Sequence, residues 1–299
     1  MAEGISAFLN PGEIQKLGRL VLLSRYVVEG NLAGAHRSPQ RGASTEFADH
    51  RAYIEGDDPK RIDWKVLGRS DRYYVKRYED ETNLRVYLAL DRSASMGYGI
   101  GNVTKYQYAC HLAAALAYLV VKAHDSVGLF LHSDKVDLVV EPGNTFLHLN
   151  NMLKRLQETQ PGSSTKIGDT LHLIAESIHK RALIIILSDL LGAPEEIRSP
   201  LAHFRRNHHD VIVFHVLDPT EIELPFRNGA RFEDMETGED LAVDPPSVAA
   251  AYRELFGQFM ARCRKVCAEM NIDYRLARTD CDTGNFIRTY MEGRRRLSR

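Results

Sequence analysis

Short, predominantly apolar runs alternate with longer helical patterns from Leu84 to the end of the chain. The runs Leu84–Leu90 and Ala182–Leu187 lack the polar alternation of a half-exposed strand, so both faces of each predicted strand must be buried. Strands separated by helices of ten residues or more imply parallel pairing. The pattern therefore predicts an α/β fold, with a doubly wound, mostly parallel sheet that carries helices on both faces.

The alternation of apolar runs and helical patterns also predicts the individual strands and helices. The predicted strands are Leu84–Leu90, Val127–His132, Val136–Val140, Ala182–Leu187, Val211–Leu217 and Ile272–Leu276. The predicted helices are Thr104–Ala123, Phe146–Gln157, Ile167–His179, Glu195–Arg206, Ser247–Met270 and a last one near Phe286–Met291. A hairpin is expected around Glu236–Glu239, where a glycine follows polar residues.

The N-terminal part follows a different pattern. Residues 12–28 have the apolar spacing of a helix, and residues 29–83 combine dense mixed charge with several aromatic side chains. A disordered linker is poor in aromatics, so an ordered, irregular or β-rich subdomain is expected. We predict two domains, residues 1–83 and 84–299. A charged network beside a buried Trp64 is expected from Arg51, Asp57, Asp58, Arg61 and Asp63.

Composition limits the classes of function. The formal net charge of the 299 residues is -1, and basic stretches are mixed with acidic ones, so nucleic-acid binding is not expected. No apolar run is long enough to span a membrane and the first residues do not read as a signal peptide, which predicts a cytoplasmic protein. The cysteines in helical patterns, Cys110, Cys263 and Cys267, are interpreted as buried apolar residues, because no second Cys or His pair completes a zinc site.

Polar side chains follow the first central strand at every second position. Asp91, Ser93 and Ser95 come directly after the run Leu84–Leu90. Open α/β sheets bind ligands at the carboxyl ends of their strands, and several oxygen donors on one loop suit a hard cation. Thr165 in a loop before a helix and Asp189 at the end of a second apolar run are expected to reach the same edge of the sheet.

These five residues carry a resemblance. The series Asp91-x-Ser93-x-Ser95, Thr165 and Asp189 resembles the metal-ion-dependent adhesion site of von Willebrand factor A domains. The resemblance implies a bound Mg²⁺, or Mn²⁺ or Ca²⁺, held directly by the serines and directly or through water by the threonine and the aspartates. It also implies a free coordination position that an Asp or Glu of a partner protein fills.

Local roles are an alternative for each residue. Asp91 and Asp189 suit turns, the serines can bond loop backbone, and Thr165 can cap a helix. Arg92 lies inside the motif, where its charge would oppose a cation if it turned inward or attract an acidic partner if it turned outward. No catalytic base is evident in the sequence, so we expect binding and not enzymatic chemistry.

The segment before the first central strand extends the resemblance to nearly the whole chain. Gly56-Asp57-Asp58, Ile62-Asp63-Trp64, Val75-Lys76-Arg77 and Asp234-x-Glu236-Thr237-Gly238 resemble the domain-of-unknown-function family fifty-eight, DUF58. That family implies a von Willebrand factor A-like domain and a partnership with a MoxR-type AAA+ ATPase in chaperone-like assembly or metal insertion. A metal-dependent hydrolase and a structural module without metal remain as alternatives.

Overall fold

The computed structural model describes residues 3–9, 12, 47–54, 62–70, 72–78, 84–101, 103–162, 166–192, 194–235 and 238–297. Its strands are β1 Phe47–Ala52, β2 Tyr74–Tyr78, β3 Arg85–Asp91, β4 Ser126–His132, β5 Val136–Gly143, β6 Leu183–Ser188, β7 Asp210–Leu217, β8 Ala230–Glu233, β9 Asp240–Val243 and β10 Asp273–Arg278. Its helices are α1 Glu3–Phe8, α2 Trp64–Ser70, α3 Lys105–Lys122, α4 Phe146–Gln157, α5 Ile167–Ser177, α6 Pro194–Arg206, α7 Pro219–Glu223, α8 Pro245–Glu269 and α9 Thr283–Leu297. A 3-10 turn, Ala94–Gly97, lies between β3 and α3.

The chain divides into two compact units. One consists of residues 1–34 and 84–299, and the other of residues 35–83. Helix α1 belongs to the larger unit, where Ile5 and Leu9 are buried in a hydrophobic cluster. The predicted domain boundary between residues 83 and 84 stays a prediction, and the predicted helix 12–28 lies outside the described residues except for Gly12.

The larger unit is built on a six-stranded sheet with the order β10-β7-β6-β3-β4-β5. Every neighbouring pair is parallel except β4 and β5, which are antiparallel. Counted along the chain from β3, this is the order 3-2-1-4-5-6 of doubly wound sheets, in which the direction of winding reverses between the first and fourth strands. The switch point of this sheet therefore lies between β3 and β6.

Both faces of the sheet are covered. Strand β3 sends Val86, Leu88 and Leu90 into a cluster with α1, α3, α4 and α9, and Tyr87 and Ala89 into a second cluster with α5, α6 and α8. Successive side chains of a strand point to opposite faces, so a strand between two helical layers must be apolar throughout. The predicted doubly wound sheet is confirmed, and the predicted strands and long helices of this unit agree with the observed bounds to within a few residues.

The described part of the smaller unit contains a strand pair and a short helix. Strands β1 and β2 pair antiparallel, and helix α2 lies between them in sequence. The Asp63 carboxylate accepts hydrogen bonds from the Lys65 and Val66 N–H groups at 2.9 and 3.3 Å, which caps the first turn of this helix. The expectation of a buried Trp64 is wrong, since the side chain is 62% exposed at the start of α2. Residues 55–61 and the Arg51 side chain of the expected network lie outside the described residues.

The predicted hairpin is formed by β8 and β9, which pair antiparallel from Ala230 opposite Val243 to Glu233 opposite Asp240.

Within the described ranges, no helix is both long and apolar enough to cross a lipid bilayer.

Candidate metal centre

Asp91 closes strand β3 at the switch point and is 1% exposed. Its Oδ1 accepts a hydrogen bond from the Ser93 N–H at 2.8 Å, and its Oδ2 accepts one from the Ser188 hydroxyl, at the end of β6, at 2.6 Å. The carboxylate is therefore fixed by its own loop and by the neighbouring strand, and it joins the two strands at the switch point.

Ser93 and Ser95 present their hydroxyl groups together. The 3-10 turn is closed by hydrogen bonds from the Met96 N–H to the Ser93 carbonyl and from the Tyr98 N–H to the Ser95 carbonyl, each 3.1 Å long. The two Oγ atoms are hydrogen-bonded to each other at 3.0 Å. Two adjacent ligands of an octahedral Mg²⁺ with bonds of about 2.1 Å are also about 3.0 Å apart. The serine pair thus has the spacing of two ligands of one ion.

Asp189 follows β6 and is as buried as Asp91. The next residue, Leu190, has a left-handed backbone with φ 52°, and this turn lets the Leu191 N–H donate to Asp189 Oδ1 at 3.2 Å. The other oxygen, Oδ2, accepts from the Lys105 ammonium at 2.8 Å. The Asp189 carbonyl accepts from His215 Nε2 at 2.7 Å. The position of Asp189 is therefore fixed by its own turn, by Lys105 of α3 and by His215 of β7.

Thr165 lies outside the described residues, so its role stays a prediction. The described residues on either side of it, Gly162 and Lys166, form backbone hydrogen bonds to the loops at the carboxyl ends of β3 and β4. The Gly162 N–H donates to the Arg92 carbonyl, and the Lys166 N–H donates to the Ser133 carbonyl at 3.4 Å. Arg92 and Ser133 directly follow β3 and β4, which are neighbouring strands.

The orientation of Arg92, which the sequence left open, is set by two partners. Its guanidinium pairs with Asp137 on β5 at 3.1 Å, and its Nε donates to the Gln160 carbonyl at 3.0 Å. The positive charge next to the serines is therefore partly neutralised by an ion pair, and the side chain also fixes the loop that leads toward residue 165.

Four side chains of this region were not predicted: Ser188, Lys105, Glu221 and His132. Lys105 begins helix α3 and is completely buried, with its ammonium between Asp189 and the Glu221 carboxylate of α7 at 2.8 and 2.5 Å. A lysine at the start of a largely apolar helix was the available signal, but its partners are 84 and 116 residues away in sequence. Only the fold brings them together.

Burial controls the charges of this cluster. It raises the pKa of Asp91, with the nearby Asp189 carboxylate adding to the effect while His132 and the two hydrogen bonds oppose it. Burial likewise lowers the pKa of His132, which is the register partner of Asp91 on β4. His132 Nε2 is buried and has no hydrogen-bond partner among the described residues. Two buried carboxylates side by side favour a cation, which would reverse the rise in the Asp91 pKa.

The residues present fit a hard, oxygen-bound cation such as Mg²⁺. Ser93 and Ser95 would hold it directly, and the Asp91 and Asp189 carboxylates would supply charge from the two flanking strands. In the described parts of the chain, no three His, Cys, Asp or Glu side chains are arranged to hold a metal, so the donor set depends on the hydroxyl groups.

A cleft of about 490 Å³ opens beside Ser95. Carboxylates line much of it, and Tyr98, Ile167 and Leu191 supply an apolar part of its wall. Met235 at the end of β8 also reaches the 3-10 turn, since its Cε would lie 3.2 Å from a Cβ added to Gly97. The acidic lining residues are Glu196, Glu221, Glu233 and Asp234. The candidate centre therefore borders a groove that is large enough for one or two side chains of a partner.

The fold and this polar edge define the class of molecule: a doubly wound α/β protein with an oxygen-rich candidate cation site at its switch point. The chain belongs to the family described as protein of unknown function DUF58, whose family model matches residues 49–266. The resemblance drawn from the sequence is thereby confirmed at the level of the family.

The chain is also similar to individual relatives and solved structures. The uncharacterized proteins Rv1480 of Mycobacterium tuberculosis (strain ATCC 25618 / H37Rv) and Mb1516 of Mycobacterium bovis (strain ATCC BAA-935 / AF2122/97) are each 27% identical over 235 residues, covering 77% of this chain and 73% of theirs. The conserved hypothetical protein BatB from Bacteroides thetaiotaomicron is 16% identical with a TM-score of 0.45, covering 71% of this chain and 99% of its own. The SpRpn10 VWA domain is 9% identical with a TM-score of 0.42, covering 70% and 95%.

Proposed function

We propose that this protein is a non-enzymatic, divalent-metal-dependent protein-interaction module. The observation that carries the proposal is the pair of serine hydroxyls 3.0 Å apart, flanked by two buried aspartates at the switch point of the sheet. Membership in DUF58 and the resemblance to von Willebrand factor A domains support the coarser function of protein interaction.

The chemistry around the site supports binding over catalysis. His132, Lys105 and His215, the buried basic side chains that contact or adjoin the two aspartates, are each 0% exposed. A general base must come within hydrogen-bond reach of the proton that it removes from a substrate, and these three side chains do not reach the open groove. The carboxylates that line the groove are the candidate bases of the alternative function, a metal-dependent hydrolase. The groove itself offers surface for a partner, which an interaction module requires.

The charge of the groove restricts the partner. The family resemblance implies that an Asp or Glu of the partner completes the coordination of the ion. The four carboxylates of the groove would repel an isolated acidic residue, so we propose that the acidic residue is flanked by Lys or Arg. The aliphatic part of such a side chain would lie against Tyr98 and Leu191.

A MoxR-type AAA+ ATPase is the partner that the family resemblance suggests, with an adaptor role in chaperone-like assembly or metal insertion in the cytoplasm. This step depends on association within the family and not on the geometry of the site. It can therefore fail while the metal-dependent interaction holds.

Calorimetric titration with Mg²⁺ and with Mn²⁺ tests the metal. We expect saturable heat for the wild type and its loss in Ser93→Ala and Ser95→Ala, because each substitution removes one ligand. Ser177→Ala is the matched control, since that hydroxyl donates to the Ile174 carbonyl within its own helix, α5. If the wild type binds neither Mg²⁺ nor Mn²⁺, the remaining alternative is that the protein is a structural module without bound metal.

A pull-down with the ATPase tests the partner. We expect capture by the wild type in Mg²⁺, and release by chelator and by Ser93→Ala, while Ser177→Ala behaves as the wild type. Capture that is indifferent to both chelator and Ser93→Ala would show that the contact does not pass through a metal. Hydrolysis of generic ester or phosphate substrates that depends on Ser93 would favour the alternative of a metal-dependent hydrolase.

A further inference from the structure

Lys105 is the feature of the candidate centre that neither the motif nor the proposed function explains. Its side chain is 0% exposed, and its ammonium contacts Asp189 Oδ2 at 2.8 Å and Glu221 Oε1 at 2.5 Å. A lysine is rarely buried completely unless it is paired, and its burial carries a large desolvation cost. A residue of this kind is a permanent positive charge placed directly beside a predicted metal ligand.

The ammonium is held in place from several sides. Glu221 is fixed by the capping box of α7, in which its Oε2 accepts from the Asp218 N–H at 2.9 Å. The Tyr252 hydroxyl on α8 donates to the Glu221 carbonyl at 2.8 Å. The ring of Tyr98 lies 5.7 Å from Lys105 Nζ. Because these partners come from α7, α8 and the loop before α3, Lys105 cannot leave Asp189 by a simple rotation of its side chain.

Both oxygens of Asp189 are consequently in use, one by the ammonium and the other by the Leu191 N–H. When the carboxylates of Asp91, Asp189 and Glu221 are all ionised, Lys105 cancels one of their three negative charges. Two net negative charges remain, which is the charge that one divalent ion neutralises. Without Lys105 the cluster would hold three uncompensated carboxylates.

We propose that Lys105 is a built-in counter-charge that weakens the affinity of the site for a divalent cation. Glu221 pairs with Lys105 and determines how much of that positive charge the cation experiences. The inference depends on the proposed metal site and names the residues that regulate it. The cation then shares Asp189 with Lys105, so the ion is held loosely enough to exchange.

A charge series tests the inference by calorimetry with Mg²⁺ and Mn²⁺. Lys105→Met adds one net negative charge and should tighten binding about tenfold or more, whereas Glu221→Gln should weaken it by a similar factor. The double variant Lys105→Met/Glu221→Gln restores the wild-type net charge, so its affinity should lie within about threefold of the wild type. Lys122→Met, at the opposite end of α3, is the matched control and should change nothing.

Thermal unfolding provides a second readout. Lys105→Met removes the ammonium partner of the buried Asp189 carboxylate and of the partly exposed Glu221 carboxylate, so its melting temperature should fall without divalent ions and recover with Mg²⁺ more than that of the wild type. The double variant removes both partners and is expected to fold without added metal. It keeps the test informative if Lys105→Met alone does not fold.

Two results would separate the proposals. One is that the wild type binds Mg²⁺ through Ser93 while the affinity of Lys105→Met is not higher than that of the wild type, or that of the double variant is not close to it. In that case the proposal that Lys105 is a counter-charge is wrong, and the proposed metal site stands. If no variant binds Mg²⁺ or Mn²⁺, both proposals fall. Binding by Lys105→Met with none by the wild type would support the counter-charge in its strongest form.

Discussion

At the scale of single residues, Leu190 shows how the candidate centre is constrained. A leucine in the left-handed region costs about 1–2 kcal/mol, and its φ of 52° is retained directly after Asp189. Its side chain is buried and its N–H donates to the Ser188 hydroxyl at 2.9 Å. The surrounding packing therefore holds the turn that presents Asp189, as is common where backbone strain serves a site.

The four cysteines differ in their exposure to solvent. Cys110, Cys263 and Cys267 are buried, and burial raises their pKa values to about 12, 11 and 12, whereas Cys281 is exposed. Only the thiolate reacts with a disulfide reagent, so one thiol per native chain should react quickly and faster at higher pH. Ellman's reagent under native conditions measures this count.

Cys281→Ser should remove the fast reaction, and full denaturation should then reveal three further thiols. Rapid labelling of a second cysteine in the native protein would contradict the interpretation of the helical cysteines as packed apolar residues.

At the scale of elements, helix α3 begins with a capping box. Thr104 Oγ1 accepts from the Gln107 N–H at 3.2 Å, and Gln107 Oε1 accepts from the Thr104 N–H at 3.0 Å. Loss of such a cap costs about 1 kcal/mol, so Thr104→Ala should lower the free energy of unfolding by about that amount. Urea unfolding followed by circular dichroism measures the change.

Thr104→Ser keeps the hydroxyl and should remain within about 0.5 kcal/mol of the wild type. Equal losses in Thr104→Ala and Thr104→Ser would show that the methyl group and not the cap matters at this position.

The elements that the sequence predicted well are those with a strong periodic signal. Strands β3 and β6 are predominantly apolar runs, and α3 and α4 span several turns, so their bounds followed closely from the pattern. Helices α1 and α7 have six and five residues, too few for a periodic signal to develop. Helix α2 contains Gly68 and begins at an exposed tryptophan, so its segment resembled a loop.

At the scale of the whole molecule, the sheet depends on both of its helical layers. Leu88 on β3 belongs to the cluster under α3, and Ile186 on β6 belongs to the cluster under α5 and α6. Both side chains are 0% exposed. Since each layer covers the same sheet, loss of packing on either face should weaken the larger unit as one body.

Leu88→Ala and Ile186→Ala should each cost about 2–5 kcal/mol, because each deletes a buried aliphatic side chain and leaves a cavity. Guanidinium unfolding measures both values. Leu147→Ala is the control, since Leu147 is 72% exposed and should change stability by less than about 0.5 kcal/mol. A small effect from only one of the core substitutions would show that the two layers unfold separately.

The candidate centre was predictable only in part. Asp91, Ser93 and Ser95 share one loop, and Asp189 ends a second apolar run, so their convergence at one sheet edge followed from parallel topology. The ion pair of Lys105 with Asp189 and Glu221 depends on the packing of α3 and α7 against that edge, which no local pattern encodes. The pairing of Arg92 with Asp137 depends on β5 in the same way.

Because Lys105 is completely buried, the rate at which its amine is chemically modified reports how often the fold opens around it. An amine-acetylating reagent should modify the exposed Lys135 at the rate of a free lysine, whereas Lys105 should react only in molecules in which the α3–β6–α7 junction has opened. Mass spectrometry of digests taken over time would give both rates. Their ratio would report how often the centre of this molecule is open to water, and equal rates would contradict the buried ion pair.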